Sequence, residues 1–179
     1  PDVIFVGDSI VEYYPLHELL RTDKTVVNRG IRGYKTDLLL ENLDAHLFGH
    51  AVDKIFLLIG TNDIGKEMEQ AETLGNMEEI IQFISRNYPL AQIQLLSVLP
   101  VNEDPIYKGT VYVRTNAKIQ ELNQAYQKLA QAYVNVQFVD IYRHFLDASG
   151  QLKSDYTTDG LHLSIEGYVV LSDRIKDQL

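Results

Sequence analysis

The sequence contains no cysteine. That absence excludes disulfide bridges, thiol nucleophiles and thiolate metal sites together, although it says little about compartment. Basic residues are few, 16 against 25 acidic ones, for a net charge of -9. Nucleic acids and anionic membrane surfaces need a basic face, so neither is an expected partner, and a neutral or zwitterionic small molecule fits better. No apolar run approaches the roughly 20 residues needed to span a bilayer, and no basic-then-apolar leader opens the chain, so it reads as soluble and cytoplasmic. The start at Pro1, almost at once inside a strand, leaves room for an upstream segment. Several signatures are missing too. There is no G-x-S-x-G elbow and no HExxH pair, and the Gly-rich NRGIRGY carries neither GxGxxG nor GK[ST].

What is present is alternation. The 179 residues, 45% of them apolar, suffice for one domain with a normal core over 1–179. Five short β-branched runs, at 3–7, 25–30, 54–60, 92–100 and 135–140, have the character of buried parallel strands. Helical periodicity fills 12–21, 36–47, 67–87, 114–133 and 165–178. Strands and helices in turn predict βαβ units, an α/β chain with helices on both faces of a parallel sheet. In such a sheet the ligand site lies beyond the carboxyl ends of the strands. Those positions are polar here: Gly7-Asp8-Ser9 after the first run, Asn28 to Gly33 after the second, Gly60-Thr61-Asn62-Asp63 after the third.

Ser9 is either a turn serine or a nucleophile. A hydroxyl becomes nucleophilic when a base takes its proton, and the usual base is a histidine oriented by a carboxylate. Of the five histidines only His162 has an acid three residues earlier, Asp159 in DGLH. That spacing lets the carboxylate reach Nδ1 across one tight turn. An oxyanion needs preorganised donors, for which the candidates are the backbone N–H groups of Ser9 and Gly33 and the side-chain amide of Asn62. Asp8 is read as a local loop hydrogen-bonder, and Asp63 as a cap on the segment that follows it.

The blocks GDSI at 7–10, GIRG at 30–33, GTND at 60–63 and DGLHLSIEGY at 159–168 resemble, in their order, those of the SGNH/GDSL hydrolases. A bare GDS arises by chance in about one chain in twenty of this length, so the order of four blocks carries the resemblance. It implies a three-layer α/β/α, flavodoxin-like fold with a five-stranded parallel sheet. It also implies Ser9 as nucleophile, Asp159 and His162 as its acid and base, and Ser9, Gly33 and Asn62 as the oxyanion hole. Within the family the chain looks most similar to platelet-activating factor acetylhydrolases and their bacterial relatives. The implied activity is hydrolysis of short-chain, above all acetyl, carboxylic esters through an acyl-enzyme, with no cofactor or metal. Tyr34 departs from the small or acidic residue many relatives carry after the glycine.

Tyr13, Tyr14, Arg32, Tyr34 and the 100–112 loop are expected to line or cover the substrate pocket. The leaving alcohol is open between a lipid, as in lysophospholipases, and a sugar, as in carbohydrate O-acetylesterases, and a homodimer is neither required nor excluded. Two other classes compete. One is a flavodoxin-like binding module without catalysis. The other is a metal-dependent hydrolase on His46 and His50, near Asp44, although Gly49 between the histidines favours a frayed helix end.

Overall fold

The computed structural model describes residues 1–179. The chain runs β1 (Val3–Gly7), α1 (Ser9–Glu12), α2 (Leu16–Leu19), β2 (Val26–Gly30), α3 (Thr36–Glu41), α4 (Leu43–His46), β3 (Lys54–Leu58) and α5 (Thr61–Gly65). It continues through α6 (Gln70–Asn87), β4 (Gln92–Leu96), α7 (Lys108–Val111), α8 (Asn116–Ala130), β5 (Val136–Val139) and α9 (Ile165–Ile175). The five strands form one parallel sheet in the order β2-β1-β3-β4-β5. All five predicted strands are present, each within the predicted range.

β1 is apolar throughout because both of its faces are covered. The two-residue period divides it between two cores: Ile4 and Val6 join one cluster, Val3 and Phe5 the other. The first cluster receives Met77, Ile80, Ile81 and Ile84, one stripe of α6, together with Ile119, Leu122 and Tyr126 of α8. The second receives Ile10 of α1 and Tyr168, Leu171 and Ile175 of α9. Each such side chain contributes about 1.5–3 kcal/mol by leaving water. The result is the expected three-layer α/β/α arrangement.

Helix boundaries depart from the periodicity for identifiable reasons. The predicted 12–21 helix is two short ones, because Pro15 lies between α1 and α2 and cannot supply the amide a continuous helix needs there. The predicted 36–47 helix divides at Asn42, and α6 starts at Gln70, after Glu67 takes a positive φ of 58°. The 100–112 loop holds a 3₁₀ turn at Pro105–Tyr107 followed by α7.

The strand order places a switch point between β1 and β3. The chain leaves β1 toward β2 on one side, while β3 and its successors build the other, so loops diverge at the carboxyl ends, where sheets of this kind bind their ligands. Ser9 follows β1 and Asn62 follows β3.

Candidate active site

Asp8 follows β1 and caps α1, its Oδ1 accepting from the Ile10 N–H at 2.9 Å. That is the local role read from the sequence. It makes Ser9 the first helical residue, held on a short, buried element rather than a free turn. Ser9 Oγ and His162 Nε2 are 2.9 Å apart. On the other side of the ring, His162 Nδ1 lies 2.7 Å from Asp159 Oδ2. A carboxylate only accepts, so Nδ1 carries the proton and Nε2 is free to accept from the serine hydroxyl.

The loop carrying Asp159 and His162 is built by local hydrogen bonds. Asp159 Oδ1 accepts from the backbone N–H groups of Leu161 at 3.0 Å and His162 at 2.7 Å. The Thr157 hydroxyl donates to the His162 carbonyl at 2.6 Å and accepts from the Gly160 N–H at 2.9 Å. Burial pushes the Asp159 carboxyl up, but the His162 N–H, its imidazole and the Leu161 N–H outweigh burial and hold it below the usual carboxylate value. Asp8 is different. Burial drives its carboxyl up to about 7, against the opposing pull of the Ile10 N–H and of the His162 and Arg114 charges.

The α9 helix that follows is fastened to α1. Tyr168 Oη donates to the Ile10 carbonyl at 2.6 Å, the Tyr14 ring stacks on Tyr168 at 5.2 Å between centroids, and Tyr14 Oη pairs with Ser172 Oγ at 2.6 Å. Tyr14 therefore does not line the substrate pocket as expected from its place near Ser9. It is a buried core residue between two helices, because the turn before Pro15 directs it inward. Tyr13 faces the other way, half exposed, with its ring 6.2 Å from that of His162.

The three expected oxyanion donors all follow strands at the carboxyl end of the sheet, Ser9 after β1, Gly33 after β2 and Asn62 after β3. Gly33 has φ +79°, a left-handed conformation that glycine adopts without strain, and no protein atom lies within 4 Å of where a Cβ would be. The N–H groups of Ser9 and Gly33 engage no acceptor in the protein. Asn62 Nδ2 donates to the Tyr34 carbonyl at 3.0 Å, and its Oδ1 accepts from Arg114 Nη2 at 2.8 Å. Arg32 is exposed, its backbone N–H bonded to Glu12 Oε1 at 3.0 Å.

Two further readings of the sequence change. Asp63 does not cap the segment that follows it: it is fully buried, accepting from the Thr36 N–H at the start of α3 at 3.0 Å and from the hydroxyls of Thr36 and Thr73 at 2.5 and 3.0 Å. It fastens α3 and α6 to α5. His46 is the last residue of α4, so the helix ends between the two histidines as read, but its side chain is buried, with Nε2 2.9 Å from Tyr34 Oη, and burial and Arg29 push its pKa down. His50 is exposed, and no three His, Asp or Glu side chains converge on one point in the way a metal ion requires. Arg114 and Thr157 went unread in the sequence. Thr157 had a local signal, its place in TTDG beside the acid; Arg114 had none.

Comparison with known proteins gives one direction. Residues 5–170 match the GDSL-like Lipase/Acylhydrolase family. The chain is 33% identical over 173 residues to the platelet-activating factor acetylhydrolase IB subunit alpha2 of Rattus norvegicus, covering 94% of this chain and 71% of that one. It is 29% identical over 178 residues to an Escherichia coli N-acylneuraminate cytidylyltransferase, covering 98% of this chain and 40% of that longer protein. Among solved structures it superimposes with a TM-score of 0.98 and 64% identity on a Streptococcus pneumonia protein provisionally described as a platelet activating factor, over 99% of this chain and 83% of that one. It also matches a Bacteroides thetaiotaomicron GDSL-like lipase with a TM-score of 0.82 and 26% identity, covering 98% and 86%. With its fold, its motif order and these relatives in agreement, the chain belongs to the GDSL-like lipase/acylhydrolase family and is a hydrolase acting on esters.

Proposed function

We propose that the chain is a single-domain serine esterase that cleaves short-chain carboxylic esters, acetyl esters first, through an acyl-enzyme. The observation that carries this reading is the continuous line of hydrogen bonds from Ser9 Oγ through the His162 ring to Asp159, at 2.9 and 2.7 Å. Ser9 Oγ attacks the ester carbonyl carbon as His162 Nε2 takes its proton. Asp159 holds the ring and stabilises the imidazolium that forms. The carbonyl oxygen, now negative, is met by the N–H groups of Ser9 and Gly33 and by the Asn62 amide. Collapse of the tetrahedral species breaks the bond to the alcohol oxygen, which leaves with the proton from Nε2. Water, deprotonated by the same nitrogen, then attacks the acyl carbon, and Ser9 departs with the proton returned.

The acetyl preference is supported by the relatives named acetylhydrolases and by architecture. The longest segments at the strands' carboxyl ends, 97–107 and 140–164, are folded into 3₁₀ turns at Pro105–Tyr107, Tyr142–Phe145 and Ser154–Tyr156 rather than into a separate element that could build a long acyl channel. The same relatives favour a phospholipid-type leaving alcohol.

The test is hydrolysis of chromogenic esters of graded length by purified protein. Acetyl to butyryl esters are expected to turn over much faster than palmitoyl esters, and Ser9→Ala and His162→Ala each to lower kcat by on the order of 10⁴, with the double variant little worse than either. Ser9→Ala, which alters a small side chain, is expected to melt near the parent temperature. A folded Ser9→Ala variant with full activity would remove the mechanism; equal rates on acetyl and palmitoyl esters would remove the acyl assignment alone.

A further inference from the structure

Asn62 is offered to an oxyanion through a side-chain amide, and a free amide rotates. Its two ends are chemically opposite, one acceptor oxygen and two N–H donors, so a half-turn would aim an oxygen lone pair at the developing negative charge. Here both ends are committed. The oxygen accepts from Arg114 Nη2 at 2.8 Å, and one N–H is given to the Tyr34 carbonyl at 3.0 Å. A guanidinium only donates, so the oxygen must face it, and the second N–H is the one left over.

Arg114 is itself clamped. Its Nε donates to the Thr61 carbonyl at 2.9 Å, and Nη1 donates to the carbonyls of Thr110 at 3.1 Å and Val111 at 3.4 Å. The same side chain thus holds the backbone just before Asn62 and the Asn62 oxygen. Gly65, one turn further along α5, makes room for it: a Cβ there would lie 2.5 Å from Arg114 Cζ. A cationic donor on an amide oxygen also draws electron density through the amide and makes its N–H groups better donors.

We propose that Arg114 is a positioning residue for the oxyanion hole, fixing the rotamer of the Asn62 amide and strengthening the N–H it presents to the transition state. The proposal rests on the serine esterase reading above. Since the oxyanion exists only after attack, loss of Arg114 lowers kcat and leaves KM nearly unchanged.

The experiment is steady-state hydrolysis of a chromogenic acetate by the full chain carrying Arg114→Met, Arg114→Lys or Gly65→Ala, each alone and combined with Asn62→Ala. Gly65→Ala keeps the arginine and its charge and displaces only the guanidinium. Asn62→Ala alone is expected to cost on the order of 10² to 10³ in kcat. Arg114→Met and Gly65→Ala are each expected to cost about 10- to 100-fold in kcat, with KM within about 3-fold. Lysine, lacking the fork, is expected to restore little of this activity. With Asn62 already alanine, the same changes are expected to cost less than about 3-fold, because the group they position is gone. Full kcat in Arg114→Met, or an undiminished loss on the Asn62→Ala background, overturns the proposal. Should Arg114→Met not fold, Arg114→Lys and Gly65→Ala carry the same comparison. An active, folded Ser9→Ala variant sinks the esterase reading itself, whereas an inactive one beside a normal Arg114→Met sinks only the role of the arginine.

Discussion

Asp8 precedes the nucleophile candidate and is buried, with its carboxyl pushed up to about 7 from an ordinary 3.8. An unfolded chain gives up that proton near pH 4 while the folded protein keeps it. A raised carboxyl therefore contributes stability in full below about pH 4 and loses it as pH rises toward 7, with a slope approaching about 1.4 kcal/mol per pH unit. Asn at this position accepts the Ile10 N–H equally well and carries no charge. Asp8→Asn is expected to match the parent in acid and exceed it in thermal stability above pH 7, and parallel melting-temperature profiles from pH 4 to 8 would contradict this. His46 and His50 differ in kind. His46→Ala removes a buried ring and the partner of Tyr34 Oη, at an expected cost of about 1–3 kcal/mol, whereas exposed His50→Ala stays within about 0.5 kcal/mol. Since the Tyr34 carbonyl holds Asn62, His46→Ala is also expected to lower kcat, and denaturant titration with kinetics on both variants checks the contrast.

Between elements, the decisive contact is that of α9 with α1. His162 stands on the loop just before α9 and Ser9 is the first residue of α1, so the docking of these helices sets the distance between the proposed base and nucleophile. The Tyr168 hydroxyl on the Ile10 carbonyl is the main polar link, reinforced by the Tyr14 stack and the Tyr14–Ser172 hydrogen bond. Tyr168→Phe keeps the ring and its packing while leaving a buried carbonyl without that partner. The expected loss is about 1–3 kcal/mol. At about 2–4 °C per kcal/mol for a chain of this size, the melting temperature falls measurably. Activity is expected to fall through kcat as the two helices loosen. An unchanged kcat in a destabilised variant would show that the loop holds His162 without help from α9.

For the molecule as a whole, function follows from strand order. The arrangement β2-β1-β3-β4-β5 puts the ends of β1 and β3 side by side, so the proposed nucleophile after one and the proposed oxyanion amide after the other share one end of the sheet without long loops. The remaining candidates arrive by separate routes: Gly33 after β2, the acid and base before α9, and Arg114 from the segment between β4 and α8. The sheet itself is covered by two apolar layers, which leaves the loops at its carboxyl end as the place for these polar groups.

The strands, their alternation with helices, and the Asp159–His162 pair were determined by the sequence alone, because each rests on local rules. Apolar runs need burial on both faces, and a three-residue spacing closes a turn that brings carboxylate to imidazole. Asp8 as a local hydrogen-bonder is legible for the same reason. The fate of Tyr14, His46, Asp63 and Arg114 was decided only by the tertiary structure. Arg114 lies 52 residues from the amide it holds at 2.8 Å, and Tyr14 lies 158 residues from Ser172. No periodicity or spacing encodes such meetings: they depend on which helix packs against which, and so on the sum of many weak contacts across the whole core.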